Sequence, residues 1–369
     1  MRHIACKGAD RPINRVTYNH DGDLVFAVST DKVATVWNSF DGKHLGFFAG
    51  HTGSITYCDV SIDSKLFLTC SFDGSAILWN VETGKQLLKF NSKDFFKFCA
   101  FNHDNTKFIL VTKAKRGDTS LAEKTNYNNS LMASVYVFNV PDGIREHEGE
   151  CIVREDCDHE FRVPECTALS LDMNEDRFAF GTTRGSVIFF DIEGTHRAEC
   201  SPHHSAITSL VLEPNGNFFI SASTEKKMKI FTSNNDHTVI KEWDAGIIVN
   251  GIGYFPELQV VACAGGEEAS KVTQSSAEGA EQFATRLFHA PTGIMIGMVP
   301  GSFGNVIDFA VSPNGTSFLV GGHDGYLRIF HIDQQFVRAI QKGLEPFEPE
   351  FVTAAREAKE NAANKEEAQ

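Results

Sequence analysis

Thr35-Val36-Trp37-Asn38 and Ile77-Leu78-Trp79-Asn80 lie 42 residues apart, and that interval sets the architecture of the chain. Other residues move by the same step: Ile13 to Ile55, Asp31 to Asp73, Gly42 to Gly84 and Phe48 to Phe90. A period in the low forties marks WD repeats, in which each unit supplies four antiparallel strands. The pattern of an apolar residue, an aromatic and then Asn, Asp or a similar residue returns with Phe in the tryptophan's place. It stands at Val137-Phe138-Asn139, Phe189-Phe190-Asp191, Ile230-Phe231-Thr232, Leu287-Phe288-His289 and Ile329-Phe330-His331. Seven anchors result: Trp37, Trp79, Phe138, Phe190, Phe231, Phe288 and Phe330. The expected fold is therefore all-β, a seven-bladed WD40 β-propeller over residues 1–333. A polar C-terminal extension, 334–369, is expected to be partly helical or disordered.

Blade 2 shows how the unit is written. Ile55 to Val60 reads as the inner strand, Leu66 to Ser71 as the second, Ser75 to Asn80 as the third and Lys85 to Phe90 as the outer. Phe72-Asp73-Gly74 carries the Asp-Gly signal of a tight hairpin. Neighbouring blades cover both faces of each sheet, so these strands read as apolar runs rather than as clean alternation. His51, Ser71 (or Thr69), Asp73 and Trp79 form the expected buried hydrogen-bond tetrad of this blade. Such a network specifies one packing when every member is satisfied and costs stability when it is partial. Elsewhere the set is incomplete: Ala9 and Ser302 occupy the histidine position of blades 1 and 7, whereas His203 restores it in blade 5. Most blades must then cohere through aromatic and aliphatic packing, with phenylalanine prominent among 31 copies. Blade 7 has three strands of its own after Val306, so Arg2 to Cys6 is expected to supply its fourth and close the ring.

The spacings between successive anchors are 42, 59, 52, 41, 57 and 42, so blades 3, 4 and 6 carry additions. Lys113 to Leu131 and Gly266 to Gln282 each fall between second and third strands and must emerge on one face. Glu155 to Pro164 reads as a long connection between blades 3 and 4. Insertions gathered on one face mark or guard a binding surface. Beyond 352 the chain is rich in Ala, Glu and Lys, without an apolar stripe to bury, and reads as a solvated tail.

Hydrophobic residues make up 42% of the chain and charged residues 22%, the balance of a soluble globular protein. No apolar run approaches a membrane span, and the N-terminus lacks a signal-peptide core. These features predict a cytoplasmic protein whose nine cysteines are reduced. A net charge of −14 argues against direct RNA binding, which depends on clustered Lys and Arg. Cys151, Cys157, His159 and Cys166 cluster, but their gaps do not suit a zinc knuckle. No grouping of nucleophile, base and orienting residue stands out. The chain is expected to be no enzyme and to need no cofactor or metal.

A group of residues then resembles a specific family. Tyr18-Asn19, Gly22-Asp23-Leu24, Val36-Trp37, Leu45-Gly46 and Gly50-His51-Thr52-Gly53 are similar to the opening blades of the i subunit of eukaryotic translation initiation factor three. Gly265-Gly266-Glu267-Glu268-Ala269 with Val272-Thr273 resembles that family's sixth blade. Phe303-Gly304, Ser312-Pro313-Asn314-Gly315-Thr316-Ser317, Gly321-Gly322, Asp324-Gly325-Tyr326 and Arg328 resemble its seventh. The resemblance implies a divergent scaffold subunit that docks on the b and g subunits. In that role it supports 43S preinitiation complex assembly, mRNA recruitment and scanning, and meets the 40S ribosomal subunit indirectly. The family often has acids where this chain has Asn215 and Thr232, and the resemblance makes these two positions candidate partner contacts. The alternative is another cytosolic WD-repeat adaptor, such as a receptor-kinase-associated or RNA-processing scaffold.

Overall fold

The computed structural model of the chain describes residues 2–116, 131–147, 149–172, 177–233, 237–266, 283–302 and 304–343. Seven separate sheets stand in a ring, and each is built around four consecutively paired antiparallel strands. In blade 2 these are Ile55–Val60, Leu66–Ser71, Ser75–Asn80 and Gln86–Asn91, within one residue of the sequence expectation. All six residues of Leu66–Ser71 are buried, as a strand covered on both faces requires. Arg2–Lys7 pairs antiparallel with Tyr326–His331 from Arg2 opposite His331 to Lys7 opposite Tyr326, so the N-terminal strand completes blade 7 and closes the ring.

The aromatic anchors work as cross-strand pairs. Each sits opposite a residue of its own second strand, and in five blades that residue is Phe: Phe67, Phe108, Phe178, Phe219 and Phe318. Three of these pairs lie nearly flat on one another, with ring centroids 5.1 Å apart for Phe108–Phe138, 5.5 Å for Phe219–Phe231 and 4.8 Å for Phe318–Phe330. Such pairs contribute about 0.5–1.5 kcal/mol each beyond their buried area. Phenylalanine packing thus takes over the cohesion that the incomplete polar tetrads cannot supply.

Every inner strand carries a bulge at its second residue: Asn14, Thr56, Lys97, Thr167, Thr208, Asn250 and Ile307. A bulge re-aims a side chain, and in five blades it turns a donor across the seam to the next blade. Asn14 donates to Ile55 O at 2.6 Å, Thr56 to Phe96 O at 3.0 Å, Lys97 to Cys166 O at 2.7 Å and Asn250 to Val306 O at 2.7 Å. Thr208 donates to Val249 O. Thr167 instead donates to Gly181 O within its own blade. At the seam of blades 4 and 5, Arg177 Nη2 donates to Ser233 O at 2.5 Å. At the closing seam of blades 7 and 1, Asp308 accepts Arg15 Nη1–H at 3.1 Å and Val16 N–H at 2.8 Å.

One turn geometry recurs on the lower face, where inner strands lead into second strands. In six blades the same turn position is left-handed, at Gly22, Ser64, Asn105, Gly216, Gln259 and Gly315. Three of these positions hold side chains at some conformational cost, since only Gly adopts that region freely.

Blade 3 departs from the sequence expectation. His159–Pro164 pairs with Leu131–Asn139 and is the outer strand of blade 3, not a connection to blade 4. The extra residues therefore lie inside the blade, between its third and outer strands, and emerge on the lower face. On the way the chain returns to blade 2. Ile144 is buried in the core between blades 2 and 3, Arg145 pairs with Asp63 at 2.6 Å, and Ile152–Arg154 adds a parallel strand beside Gln86–Asn91. On the upper face Lys115–Arg116 pairs with Leu131–Met132, so the sheet of blade 3 continues as a ribbon. The remainder of the Lys113–Leu131 insertion, nearly all of Gly266–Gln282 and the tail after 343 lie outside the described residues. A helix, Gln334–Gly343, leaves blade 7. Asp333 caps it by accepting Phe336 N–H at 2.7 Å, and Phe336 packs on the core of blades 6 and 7.

Candidate functional site

The polar network of blade 2 runs through Thr69. Trp79 Nε1–H donates to Thr69 Oγ1 at 2.8 Å, and Thr69 Oγ1 lies 2.8 Å from His51 Nε2. On the other side of the imidazole, Nδ1 lies 2.9 Å from Ser75 Oγ and 3.3 Å from Asp73 Oδ2. Asp73 also accepts Thr52 N–H at 2.7 Å and the Ser75 hydroxyl at 2.6 Å. Burial pushes the Asp73 carboxyl upward, but the bonds from His51, Ser75 and Thr52 outweigh it and hold the group well below the usual carboxylate range. His51 Nδ1 therefore faces Asp73 and Ser75, and Nε2 faces Thr69, which ties the turn to the strand. Ser71 stands outside this relay: it donates to Ser54 O at 2.8 Å and accepts Asp73 N–H at 3.1 Å, which shapes the turn. Blade 5 builds a shorter version, in which His203 Nδ1 lies 2.6 Å from Glu225 and Nε2 lies 2.8 Å from Ser221 Oγ. Burial pulls the His203 imidazole below its ordinary value against the opposing pull of Glu225. These networks carry no substrate-facing group; they fix loops.

A channel of about 920 Å³ passes among the inner strands, with Arg15, Asp59, Lys97, Glu213 and Asp308 in its lining. Arg15 lies over the Tyr57 ring at 4.4 Å. Burial raises the Asp59 carboxyl to about 6, opposed by the N–H groups of Phe101 and Val60 that it accepts at 2.8 and 3.0 Å. The charged groups of the lining bind one another, neighbouring backbone or, for Glu213, the side-chain amides of Asn215 and Asn217. Cys166 and Cys263 are equally quiet, with burial raising both thiols to about 12. Among the described residues no three His, Cys, Asp or Glu side chains gather as a metal site.

Asn215 and Thr232 both lie at the lower end of blade 5. Asn215 is exposed and donates to Glu213 Oε1 at 2.6 Å; Thr232 is half-buried and its Oγ1 accepts Thr238 N–H at 3.0 Å. The structure does not bring them into contact with one another through a hydrogen bond. Glu213 keeps a carboxylate in this corner, itself buried under Asn215 and Asn217.

Apolar side chains that sequence reasoning did not find stand exposed around the ring. The outer edge of blade 1 shows Leu45 and Phe47, the adjacent edges of blades 5 and 6 show Ile240, Ile294 and Met295, and the upper face of blades 2 and 3 shows Phe72 and Phe95. Contiguous exposed apolar surface on a folded chain marks contact with another macromolecule. The signal available in sequence was an apolar residue in an outer strand, where solvent favours a polar one.

A closed ring whose polar networks fix loops, and whose apolar surplus lies on faces and rim, defines a β-propeller scaffold of the WD-repeat class. The family described as EIF3I matches residues 1–340. Eukaryotic translation initiation factor 3 subunit I of Schizosaccharomyces pombe is 32% identical over 340 residues, covering 91% of this chain and 98% of that relative. The same subunit of Aspergillus fumigatus is 30% identical over 341 residues, covering 91% and 96%, and that of Kluyveromyces lactis is 30% identical over 343 residues, covering 91% and 93%. The chain belongs to the family of eukaryotic translation initiation factor 3 subunit I. It is a translation initiation factor subunit and a non-catalytic scaffold whose partners include other subunits of that complex. Among the described residues no helix is long and apolar enough to cross a membrane.

Proposed function

We propose that this chain works in the cytoplasm by docking on the b and g subunits of initiation factor 3. Through them it supports 43S preinitiation complex assembly, mRNA recruitment and scanning, and meets the 40S subunit only indirectly. The observation that carries this reading is the extent of the family likeness, 91% of the chain and 98% of one relative, which leaves the whole ring to be used as its relatives' rings are. The lower end of blade 5 is the contact we assign to a partner segment, with Asn215 exposed at the turn and Thr232 beside it. Neither residue is charged, so the contact rests on hydrogen bonds and on apolar surface at the nearby rim of blades 5 and 6 rather than on ion pairs.

The test is affinity capture of the tagged full chain from a lysate of its own cells, followed by mass spectrometry and gradient sedimentation. Recovery of the b and g subunits and migration with 40S material is the expected result. Asn215→Arg and Thr232→Arg should reduce that recovery while the ring stays folded. Recovery of a different complex, with the chain at the top of the gradient, would overturn the proposal in favour of another adaptor role.

A further inference from the structure

Strands alternate in direction, so the turns between second and third strands share the upper face with the links that enter each blade. Two phenylalanines meet there. Phe72, in the blade 2 turn, and Phe95, just ahead of Phe96–Phe101, are 43% and 50% exposed. Their rings sit edge to face with centroids 6.4 Å apart. The backbone around them is tied down on both sides: Ser92 N–H donates to Gly74 O at 2.7 Å, and Lys113 N–H donates to Phe95 O at 2.7 Å. Asp73, next to Phe72, is held by the buried His51 network. These rings are therefore displayed on a fixed frame, and a surface fixed in advance loses little freedom on binding.

The same loops concentrate positive charge. Lys93, Lys113 and Lys115 are exposed, and among the described residues only Lys115 of the three has an acidic partner, Asp94. In a chain of net charge −14 these three lysines stand around an apolar centre, with Asp94 among them.

We propose that this patch on the upper face of blades 2 and 3 binds a short acidic peptide segment of a partner protein. An apolar or aromatic anchor of that segment rests against Phe72 and Phe95, and its carboxylates meet Lys93, Lys113 and Lys115. An aromatic centre with a charged rim is the arrangement in which a few residues carry most of an interface's energy. RNA fits less well for two reasons. A polyanion running past the patch enters the field of a strongly acidic protein, and rings set edge to face do not offer successive parallel platforms for bases.

The test uses the full chain. A phage-displayed library of random peptides of about 12 residues, long enough to span a small patch, is panned on the wild type and counter-selected on the Phe72→Ala/Phe95→Ala variant. Enrichment of peptides that combine Asp or Glu with Trp, Phe or Leu is expected. A labelled synthetic copy should bind about tenfold more weakly to that variant and to Lys93→Glu/Lys113→Glu, the loss of one good anchor being about a factor of ten. Both variants alter exposed side chains, so their urea midpoints should match the wild type and exclude unfolding as the cause. No enrichment, peptides without acidic residues, or binding indifferent to both variants would overturn the proposal. So would a labelled oligouridylate that binds more tightly than the peptide and is lost in the same variants.

Discussion

Thr69→Val keeps the size and β-branched shape of the side chain and removes one oxygen from the centre of the blade 2 network. Trp79 Nε1–H loses its acceptor and His51 Nε2 loses its hydrogen-bond partner. Neither can turn to water, because the His51 side chain is fully buried and Trp79 is 1% exposed. Leaving a buried polar group unpaired costs about 1–3 kcal/mol, so two orphans predict a loss of about 2–6 kcal/mol. Ser71→Ala lies two residues away on the same strand and makes the contrast. It removes a bond to Ser54 O and an acceptor for Asp73 N–H that the turn shares with other partners, which predicts about 1 kcal/mol. Urea unfolding followed by tryptophan fluorescence reads both, as a displaced midpoint at constant slope. If Thr69→Val stays within about 0.5 kcal/mol of the wild type, the measure of an unremarkable surface change, or if Ser71→Ala costs as much, the relay is not the element that holds this blade.

Deleting residues 2–7 removes the strand paired with Tyr326–His331 and leaves that edge open. Size-exclusion chromatography should then show larger species and calorimetry a lower melting temperature, and an unchanged profile would contradict closure by this strand. Gln259→Gly should stabilise by about 0.5–1 kcal/mol, because Gln259 holds φ at 51°; Gly315→Ala, at φ 66°, should destabilise by about 1 kcal/mol in the same urea assay. The His203 imidazole is held below its ordinary value of 6.5, so the unfolded chain takes up a proton first as pH falls. Stability should fall below pH 6.5, and His203→Gln should flatten that part of the melting-temperature profile. Asp73 acts in the same direction at lower pH: its folded value lies below 3.8, so its contribution is complete above that pH and is lost as pH falls further.

The ring was legible because its period is written twice without interruption, at Trp37 and Trp79, and then in phenylalanine. Blade 2 could be read strand by strand because short hairpins leave no room for another register. Blade 3 could not. Its third and outer strands are separated by the chain from 140 to 158, so counting forward from Phe138 assigns His159–Pro164 to the wrong role. Pairing across that distance is set by which edge is free, and a single strand does not encode its partner. Thr69 and Ser71 share one face of one strand, and only the pairing of Thr69 with Ile77 and the reach of His51 decide between them. The seam donors were invisible for another reason: Asn14, Thr56, Lys97 and Asn250 have one role and no common chemistry except a donor at a bulge. Phe72 reads as part of the blade 2 turn, but composition does not record which way a turn faces, so its exposure beside Phe95 was not legible.

Blades 2 and 3 behave as one reinforced unit within the ring, and that bears on what the upper face can hold. Thr56 and Asp59 of blade 2 bind the backbone of Phe96 and Phe101 in blade 3. From below, the 140–158 excursion returns to blade 2 through Ile144, through Arg145 with Asp63, and through the added strand Ile152–Arg154. Asn80 also donates to Arg145 O at 3.3 Å, so the excursion is anchored at both lower turns of blade 2. A rigid pair of blades fixes the distance between two loops that belong to different repeats. Phe72 comes from one and Phe95 from the other, and their ring contact persists only if the seam does not slide. The buried relay from Trp79 to Asp73 holds the first loop, and the ladder bonds at Gly74 and Lys113 hold the second. Loosening the relay should therefore weaken any ligand on that face without touching a contact residue, which makes Thr69→Val a probe of preorganisation as well as of stability.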